Sequence, residues 1–302
     1  MYDIIIIGAG PAGLTAGIYS TRARLKVLVI DKMGFGGNMA KTYSVENYPG
    51  FKSISGYDLA EKMYEQFQEF GGEIVFQTVK DIEVNDIKKV ICVDDRTFDC
   101  KSVIISTGSA TRYLGCKGEQ EFFGKGVSYC GTCDGAFFKD KHVVCVGGGD
   151  TALDEANFLT RFAKKVTIVH RGHTFTAEKI LVERITNNAK IEIIWDSEIK
   201  EIKGDKTVKG ISLYDKKDKT QREYSCDGVF IFIGYVPETK FAKNAVKLNE
   251  AGYIVTDELM NAGNGIFACG DCRANAFKQI VVAPGEGALA SHSAEKYLQS
   301  KQ

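Results

Sequence analysis

The sequence lacks the marks of a membrane-spanning or exported protein. No apolar run approaches the ~20 residues that a helix needs to cross a bilayer, and the longest obvious one covers 229–236. The N-terminus leads directly into a strand-like segment, without the basic region that opens a signal peptide. We therefore expect a soluble, cytoplasmic protein with no membrane partner.

The sequence also lacks net charge and has little proline. The 39 Lys and Arg residues balance the 39 Asp and Glu residues over 302 positions, so we expect no strong electrostatic field and no nucleic acid partner. The four prolines fall in predicted loops or at a predicted domain crossing, which leaves the predicted helices unbroken. The length suits one large domain or two of ordinary size.

A regular disulfide framework is absent too, because the nine cysteines are odd in number and unevenly spaced. Four of them form two close pairs, Cys130 with Cys133 and Cys269 with Cys272. The others stand singly in or beside apolar segments, where a buried free thiol is the usual state and suits a reducing compartment. These are Cys92, Cys100, Cys116, Cys145 and Cys226.

The segment Cys130-Gly-Thr-Cys133 is typical of a dithiol that opens and closes a disulfide. Asp134 follows directly and supplies a carboxyl that can give or take the accompanying proton. The alternative is a zinc half-site, because Cys-x-x-Cys also provides half of a four-thiolate site. The second pair stands at 269 and 272, far beyond the ~15–20-residue spacing of zinc ribbons. We therefore predict a redox dithiol and no metal.

The N-terminal segment has the pattern of a Rossmann unit. An apolar run at 4–7 leads into Gly8-Ala-Gly-Pro-Ala-Gly13, a helical stretch, a second apolar run at 26–30 and Asp31. The glycines permit a tight turn, close approach of a pyrophosphate and close helix–strand packing, and an acid at this distance binds a ribose hydroxyl. We predict an adenine dinucleotide bound by Gly8, Gly10, Pro11, Ala12, Gly13 and Asp31.

A second unit of this kind follows the dithiol. The run 143–146 leads into Gly147-Gly-Gly-Asp-Thr-Ala152, a helix to about 163 and a strand at 165–169. The ribose position holds His170 instead of an acid, so no carboxylate selects NADH. His170 and Arg171 either face a 2′-phosphate or form a solvated strand end. The predicted nucleotide-binding residues are Gly147, Gly149, Asp150, Thr151, Ala152, His170 and Arg171.

Further loops carry the glycines and amides that the edge of a flavin would use. A strand that ends at Gly270-Asp271 places a carboxylate where a polyol chain could be held, and a glycine pair opens the last predicted helix. The residues that we predict to bind cofactor in these loops are Gly36, Gly37, Asn38, Asn47, Thr107, Gly108, Gly270, Asp271, Lys278, Gln279 and Ile280.

The remaining pattern predicts framework elements. Residues 57–70 form an amphipathic helix with four core side chains, and 176–188 form another helix. Strands are predicted near 73–79, 90–93, 96–105, 191–214 and 229–233, with a solvated hairpin turn at 215–222. The core side chains of the first helix are Leu59, Met63, Phe67 and Phe70.

Together these motifs resemble, over essentially the whole chain, the low-molecular-weight thioredoxin reductases. The matching segments, in the family's order and spacing, are 8–13, 46–50, 130–135, 147–152, 270–271 and 279–287. The resemblance implies an α/β fold of two Rossmann-like, three-layer ββα domains, one inserted in the other. It implies an FAD domain at 1–112 and 240–302, a pyridine-nucleotide domain with the dithiol at 113–239, and a homodimer.

The resemblance also implies roles. Cys133 would be nearest to the flavin, Cys130 would exchange with the disulfide of thioredoxin, and Asp134 matches the family's acid. Phe137 stands where the family offers an aromatic contact to thioredoxin, although a plain core aromatic is equally consistent with its sequence.

One departure from the family bears on the electron donor. Members that use NADPH carry His-Arg-Arg-x-x-x-Arg, but here the segment keeps Arg171 and replaces the other two arginines with Gly172 and Thr176. A charge-assisted hydrogen bond contributes roughly 1.5–3 kcal/mol, so two losses would weaken NADPH binding about a hundredfold or more. Asn38, in place of the family's Gln, is a mild change.

The leading hypothesis is therefore an FAD-dependent thioredoxin-disulfide reductase with NADPH or NADH as donor. A reductase that takes electrons from ferredoxin or a deazaflavin, without a pyridine nucleotide, is the alternative. Two further hypotheses are a flavin reductase for another disulfide partner, such as a peroxiredoxin system, and a zinc- or nucleotide-binding regulator whose dithiol is structural.

Overall fold

The computed structural model describes residues 1–42, 44–275 and 277–301. Over this range the chain forms two compact units. Met1–Ala110 and the segment from Val236 onward make the first unit, and Thr111–Tyr235 makes the second. The unit boundaries thus lie at 110/111 and 235/236, whereas the sequence predicted 112/113 and 239/240.

The elements up to the first boundary begin as alternating strands and helices and continue as a strand meander. They are β1 Tyr2–Ile7, α1 Pro11–Arg22, β2 Val27–Asp31, α2 Gly56–Glu69, β3 Glu73–Phe76, β4 Val79–Glu83, β5 Lys88–Cys92, β6 Thr97–Ile105 and β7 Ser109–Thr111.

The elements after the first boundary repeat this sequence of types, and the chain then returns to the first unit. They are β8 Val127–Ser128, α3 Gly131–Asp134, β9 His142–Gly147, α4 Asp150–Leu159, β10 Lys165–Val169, α5 Lys179–Thr186, β11 Ile191–Ile194, β12 Ser197–Gly204, β13 Val208–Asp215, β14 Thr220–Ser225, β15 Gly228–Phe232, β16 Tyr235–Pro237, β17 Asn261–Gly263, β18 Ile266–Ala268 and α6 Val282–Gln299.

The first unit is built on a mostly parallel sheet. Within the described residues its eight strands follow the order β17-β18-β6-β1-β2-β3, and the antiparallel β4–β5 hairpin joins at β6. β1 lies in the centre, parallel to β2 and β6, because its four consecutive isoleucines are buried on both faces. Ile4 and Ile6 pack in the core with α1, α2 and α6, and Ile5 and Ile7 pack with the hairpin, so the unit has three layers.

The second unit repeats this plan. In the described part of the chain its sheet has the order β11-β10-β9-β15-β8, with every pair parallel. Helix α4 covers one face through Leu153 and Leu159. The antiparallel β12–β13–β14 sheet covers the other face through Ile199 and Ile211. The predicted α/β fold, with two Rossmann-like three-layer ββα domains of which one is inserted along the chain of the other, is confirmed.

Helix α2 confirms the amphipathic helix predicted at 57–70. The helix begins where the Ser55 hydroxyl oxygen accepts a hydrogen bond from the Asp58 N–H at 3.0 Å. The predicted core side chains that are buried are Leu59, Met63 and Phe67.

The placement of Phe70 in the core is wrong. The helix ends at Glu69, so the side chain of Phe70 no longer follows the helical stripe, and it is 39% exposed. The guanidinium of Arg22 lies 5.3 Å from the centre of its ring, which is a surface contact.

Other elements differ in their ends. Helix α4 stops at Leu159 rather than near 163, and α5 begins at Lys179 rather than at 176. Strand β4 was not expected, because its alternation of Val79 and Ile82 with three charged residues is a weak pattern. The predicted hairpin is confirmed by the antiparallel pairing of β13 with β14.

None of the described helices combines the length and the apolar character that crossing a bilayer requires.

The contrast between the two phenylalanines of α2 can be tested. Phe67 is fully buried and packs against Gly17 and Gly72, so Phe67→Ala should lower the free energy of unfolding by about 3–5 kcal/mol. Phe70→Ala removes the same side chain from an exposed position and should cost less than about 1 kcal/mol. Urea denaturation of both variants measures the difference, and equal losses would contradict the assignment.

Candidate active site

The predicted dithiol is a disulfide in this structure. Cys130 and Cys133 are bonded, and their Cα atoms lie 5.3 Å apart. Cys130 is the N-cap of the short helix α3, and the Cys133 N–H donates to its Sγ at 3.1 Å. Cys130 is half-buried and Cys133 is exposed. A reduced Cys130 in this geometry has a backbone donor that stabilises its thiolate.

Two hydroxyl groups that the sequence reasoning missed support Cys130. Ser128, buried at the end of β8, accepts a hydrogen bond from the Cys130 N–H at 3.0 Å and donates to the Cys130 carbonyl at 3.1 Å. The Thr132 hydroxyl lies 3.3 Å from the Cys130 sulfur. The backbone and the sulfur of Cys130 are thus held before any substrate arrives.

The second cysteine pair has a different environment. Cys269 and Cys272 are free thiols with no exposed surface, and burial raises the pKa of both, that of Cys272 to about 11. The Cys272 thiol donates to the Ile105 and Cys269 carbonyls at 3.4 and 3.3 Å. Across residues 1–42, 44–275 and 277–301, no three or more His, Cys, Asp or Glu side chains gather as metal ligands. The arrangement describes inert core thiols.

Of the five single cysteines, four are buried free thiols as expected, and Cys116 is only half-buried.

The residues that follow Cys133 are partly accessible. Asp134 is half-buried in the last turn of α3, and its N–H donates to the Cys130 carbonyl at 3.3 Å. Phe137 is 74% exposed, so the interpretation of this residue as a core aromatic is wrong. An exposed aromatic ring beside an accessible disulfide is a feature of a protein-binding surface.

The first glycine turn requires glycine at two positions and leaves open space at a third. Gly8 has φ +107°, and a Cβ on Gly13 would lie 1.9 Å from the Gly8 carbonyl oxygen. A Cβ on Gly10 would meet nothing within 4 Å. No side chain of the described residues caps the N-terminus of α1, so its N–H groups are available to an anion. The turn is therefore a cradle that fits a pyrophosphate.

The Asp31 carboxylate, at the end of β2, holds this turn through hydrogen bonds. Its Oδ2 accepts from the Ala9 N–H at 2.8 Å, and its Oδ1 accepts from Met33 and Gly34 at 2.8 and 3.1 Å. The carboxylate therefore joins the glycine turn to the loop after β2. The predicted contact of Asp31 with a ribose stays a prediction.

The loops predicted to carry cofactor contacts converge on the same edge of the first unit. The Gly36 N–H donates to the Ala9 carbonyl at 2.7 Å, and a Cβ on Gly37 would lie 3.4 Å from the Gly10 Cα. The Asn38 amide donates to the Ser109 carbonyl at 2.8 Å.

Hydrogen bonds within the first unit join two further predicted loops to the return segment of the chain. The Asn47 amide donates to Gln279 Oε1 at 3.2 Å, which brings together residues far apart in sequence. The Thr107 hydroxyl donates to the Glu238 carbonyl at 2.7 Å, and the Gly108 carbonyl accepts from the Glu238 N–H at 3.2 Å.

Gly270 and Asp271 lie beside the first glycine turn, because a Cβ on Gly270 would stand 3.0 Å from that of Ala12. Burial raises the pKa of Asp271, and Lys278 opposes the shift. Glu286 was missed as a site residue, and it accepts from the Gly270 N–H at 2.7 Å and pairs with Arg273 at 3.4 Å.

The start of the last helix differs from the prediction. Helix α6 begins at Val282, directly after Gln279 and the half-buried Ile280, so the glycine pair lies inside the helix and does not open it. Gly287 is required there, because its Cβ would lie 2.1 Å from the Ala12 carbonyl oxygen. Lys278 places its ammonium 3.5 Å from the centre of the Tyr253 ring.

The second glycine turn has the same local geometry as the first. Gly147 has φ +149°, and its Cβ would lie 2.3 Å from the Phe232 carbonyl oxygen. Gly149 precedes α4 without a side-chain cap from the described residues. Asp150 accepts from the Glu178 N–H at 2.8 Å, Thr151 is exposed and Ala152 is buried.

His170 and Arg171 have different environments. The His170 ring is half-buried against Gly148, whose Cβ would lie 2.3 Å from it, and against Phe175 and Trp195. A solvated strand end is therefore wrong for His170. Arg171 is exposed, as that alternative requires.

Glu155 of α4 is another residue near the dithiol that the sequence did not indicate. Its Oε2 would be 2.2 Å from a Cβ on Gly131, the residue after Cys130. An acidic residue beside another acid on an amphipathic helix is typical of a solvated face, so the sequence carries no signal for this burial.

The comparisons with known proteins agree with this geometry. The family model for pyridine nucleotide-disulphide oxidoreductases matches residues 2–287. The thioredoxin reductase of Listeria monocytogenes is 46% identical over 301 residues, 99% of this chain and 94% of that protein. The structure of Lactococcus lactis thioredoxin reductase in the FR conformation superposes with a TM-score of 0.97 at 42% identity, and covers 99% of this chain and 100% of that one.

The chain is also similar to a more distant structure. The ferredoxin-flavin thioredoxin reductase of Clostridium acetobutylicum is 30% identical with a TM-score of 0.54, and covers 99% of this chain and 98% of that one. The family model and the full-length relatives both match nearly the whole chain. The protein therefore belongs to the pyridine nucleotide-disulphide oxidoreductase family and, within it, to the low-molecular-weight thioredoxin reductases.

Proposed function

We propose that this protein reduces the disulfide of thioredoxin with electrons that pass through Cys130 and Cys133. The observation that carries the proposal is the accessible Cys130–Cys133 disulfide, with a backbone N–H aimed at the Cys130 sulfur, in a chain similar along its whole length to thioredoxin reductases. Reduction of this disulfide takes up two electrons and two protons.

The dithiol then reacts by exchange. The Cys130 thiolate attacks one sulfur of the substrate disulfide, a mixed disulfide forms, and the other substrate sulfur leaves as a thiolate that takes a proton. The Cys133 sulfur attacks Cys130, the Cys130–Cys133 bond re-forms, and the second substrate thiol is released. The net transfer is two electrons and two protons from the dithiol to thioredoxin.

The environments of the two cysteines support this order of attack. Cys130 receives the Cys133 N–H and lies beside the Thr132 hydroxyl, and both stabilise negative charge on its sulfur. Asp134 would give or take the proton of the dithiol. Phe137, exposed on the same segment, would contact thioredoxin.

FAD is the proposed cofactor and the first unit its domain. When bound, FAD supplies the two electrons that open the disulfide. The uncapped α1 N-terminus and the open space at Gly10 fit its pyrophosphate. The residues proposed to hold it are Gly8, Gly10, Pro11, Ala12, Gly13, Asp31, Gly36, Gly37, Asn38, Asn47, Thr107, Gly108, Gly270, Asp271, Lys278, Gln279 and Ile280.

A pyridine nucleotide is the proposed donor, held by the second unit with little preference between NADH and NADPH. The support is an uncapped second glycine turn together with a single remaining arginine at 171. The carboxylate of Asp196 lies 3.8 Å from the His173 ring, and a negative charge at this edge disfavours a 2′-phosphate. The proposed contacts are Gly147, Gly149, Asp150, Thr151, Ala152, His170 and Arg171.

Ferredoxin is the second candidate donor. It is favoured by the missing arginines and by the similarity to the ferredoxin-flavin enzyme, which is lower than the similarity to the Listeria enzyme. The proposed assembly is a homodimer and the proposed compartment the cytoplasm, where the buried free thiols would stay reduced.

The exchange mechanism predicts distinct results for the two cysteines. Cys130→Ser should lower thioredoxin reduction at least about a thousandfold while the protein stays yellow, because the nucleophile is lost and the flavin site is untouched. Cys133→Ser should accumulate a covalent complex with thioredoxin, visible on a non-reducing gel. Cys116→Ser, which alters a half-buried free thiol, is the control and should turn over normally. Full turnover by Cys130→Ser would refute the mechanism.

The cradle at Gly10 can be tested by filling it. Gly10 has φ −71° and open space at its Cβ, so Gly10→Val should fold but bind flavin at least about a hundredfold more weakly. Gly13→Val should instead disrupt the fold, because its Cβ overlaps the Gly8 carbonyl. Flavin absorbance and melting are measured against parent protein stripped of flavin. Retention of parental flavin affinity by Gly10→Val would place the cofactor elsewhere.

The donor proposal predicts that NADH and NADPH bleach the flavin at KM values within about tenfold of each other. Gly172→Arg should then lower the KM for NADPH about ten- to a hundredfold and leave that for NADH unchanged, because it restores one charge-assisted hydrogen bond. Gly172→Gln supplies similar length without charge as the control. Bleaching by reduced ferredoxin but by neither nucleotide would replace this donor with the second candidate.

A further inference from the structure

The dithiol turn rests on one face of α4. A Cβ on Gly131 would lie 2.2 Å from Glu155 Oε2 and 3.5 Å from the Leu159 side chain. A Cβ on Gly135 would lie 3.0 Å from Leu159, the last residue of α4, and 3.3 Å from Phe162, which follows the helix. The glycines at both ends of the turn bring its backbone into contact with these side chains. Glu155 is the ionisable member of that contact surface.

The carboxyl of Glu155 is partly unsatisfied. Its Oε2 is buried and, among the described residues, has no hydrogen-bond partner of good geometry. The backbone N–H groups of Gly131 and Thr132 point toward the carboxyl. These are the residues between the two cysteines. A buried oxygen without a partner is costly when charged, so its protonation responds to small changes around it.

Burial raises the pKa of Glu155 to about 7, with a smaller increase from Asp154 on the same helix, and the N–H groups of Gly131 and Thr132 oppose the shift. From β9, Cys145 faces the carboxyl as a buried thiol whose own pKa is raised well above its ordinary value by burial. Cys145 therefore stays neutral through this pH range. The charged neighbour is Asp154, and the group that changes charge during the reaction is the dithiol.

We propose that Glu155 is a positioning residue of the dithiol: its carboxyl supports the Gly131–Thr132 turn and takes up a proton when the reduced Cys130 becomes a thiolate. The inference deepens the proposed function and depends on it for its biological meaning. One proton leaves a thiol and one joins a carboxylate, so no electron moves in this step. Near neutral pH the two groups share one negative charge and titrate as a pair.

The sign of the effect follows from Coulomb's law. An ionised Glu155 disfavours a thiolate on Cys130, the residue before Gly131, and a protonated Glu155 removes that penalty. The formation of the Cys130 thiolate is therefore spread over a wide pH range instead of a single step. Neutralising Glu155 should increase the thiolate fraction near pH 7.5 about tenfold, for charges several ångströms apart in a protein medium.

The experiment measures the reactivity of Cys130 directly. In a Cys133→Ser background, which leaves the Cys130 thiol free, the rate of its alkylation by iodoacetamide is followed between pH 5 and pH 10 by peptide mass spectrometry. The parent should show a broad profile that is not a single step, and one of its midpoints should lie near pH 7, where Glu155 titrates. Glu155→Gln should show one step at lower pH, with alkylation near pH 7.5 about tenfold faster.

The matched control is Glu183→Gln, which removes the same charge from an exposed position on α5 and should reproduce the parent profile. Glu155→Asp keeps an ionisable carboxyl and should restore a broad profile. A parent profile with a single step would overturn the proposal, and so would identical profiles for parent and Glu155→Gln. If Glu155→Gln fails to fold, the parent profile alone tests the proposal: a broad profile supports it and a single step overturns it.

This measurement is separate from the test of the proposed function. Alkylation requires no flavin reduction, nucleotide or thioredoxin, so a protein that reduces another disulfide would still show the Glu155 effect. Conversely, normal thioredoxin turnover with a single-step alkylation profile would leave the function intact and remove the role of Glu155.

Discussion

The architecture depends on places where one backbone touches another. A Cβ on Gly13 would lie 1.9 Å from the Gly8 carbonyl oxygen, and one on Gly287 would lie 2.1 Å from that of Ala12. These contacts draw α1 onto the end of β1 and α6 onto α1, and the loop after β2 then closes against the turn through Asp31. The phosphate cradle is open because the glycines that build it carry no side chains.

The second unit uses the same constraint for a different purpose. Gly147 brings α4 against the sheet, and Gly131 and Gly135 bring the dithiol against α4. The helix thus begins at the nucleotide turn and supports the disulfide one and a half turns later. Glu155 contacts the residue that follows Cys130, so a carboxyl of raised pKa lies next to the dithiol turn.

The start of the same helix is the proposed nucleotide site. No side chain of the described residues caps the turn, His170 packs against Gly148, and Arg171 is exposed. A turn of this shape binds the phosphates common to both nucleotides, whereas discrimination between them requires charges at the ribose.

The sequence by itself determined the two Rossmann units, the dithiol and most strands, since these rest on local patterns: apolar runs, glycine spacing and paired cysteines. It failed at Phe70, where one residue past a helix end turns a core position into a surface one, and at β4, where only two buried residues mark the strand. The sequence did not indicate Glu155 or Glu286 as site residues, because both make their contacts with residues distant in the chain. Only the tertiary structure decides which carboxyl is buried, because burial is a property of what packs around a residue.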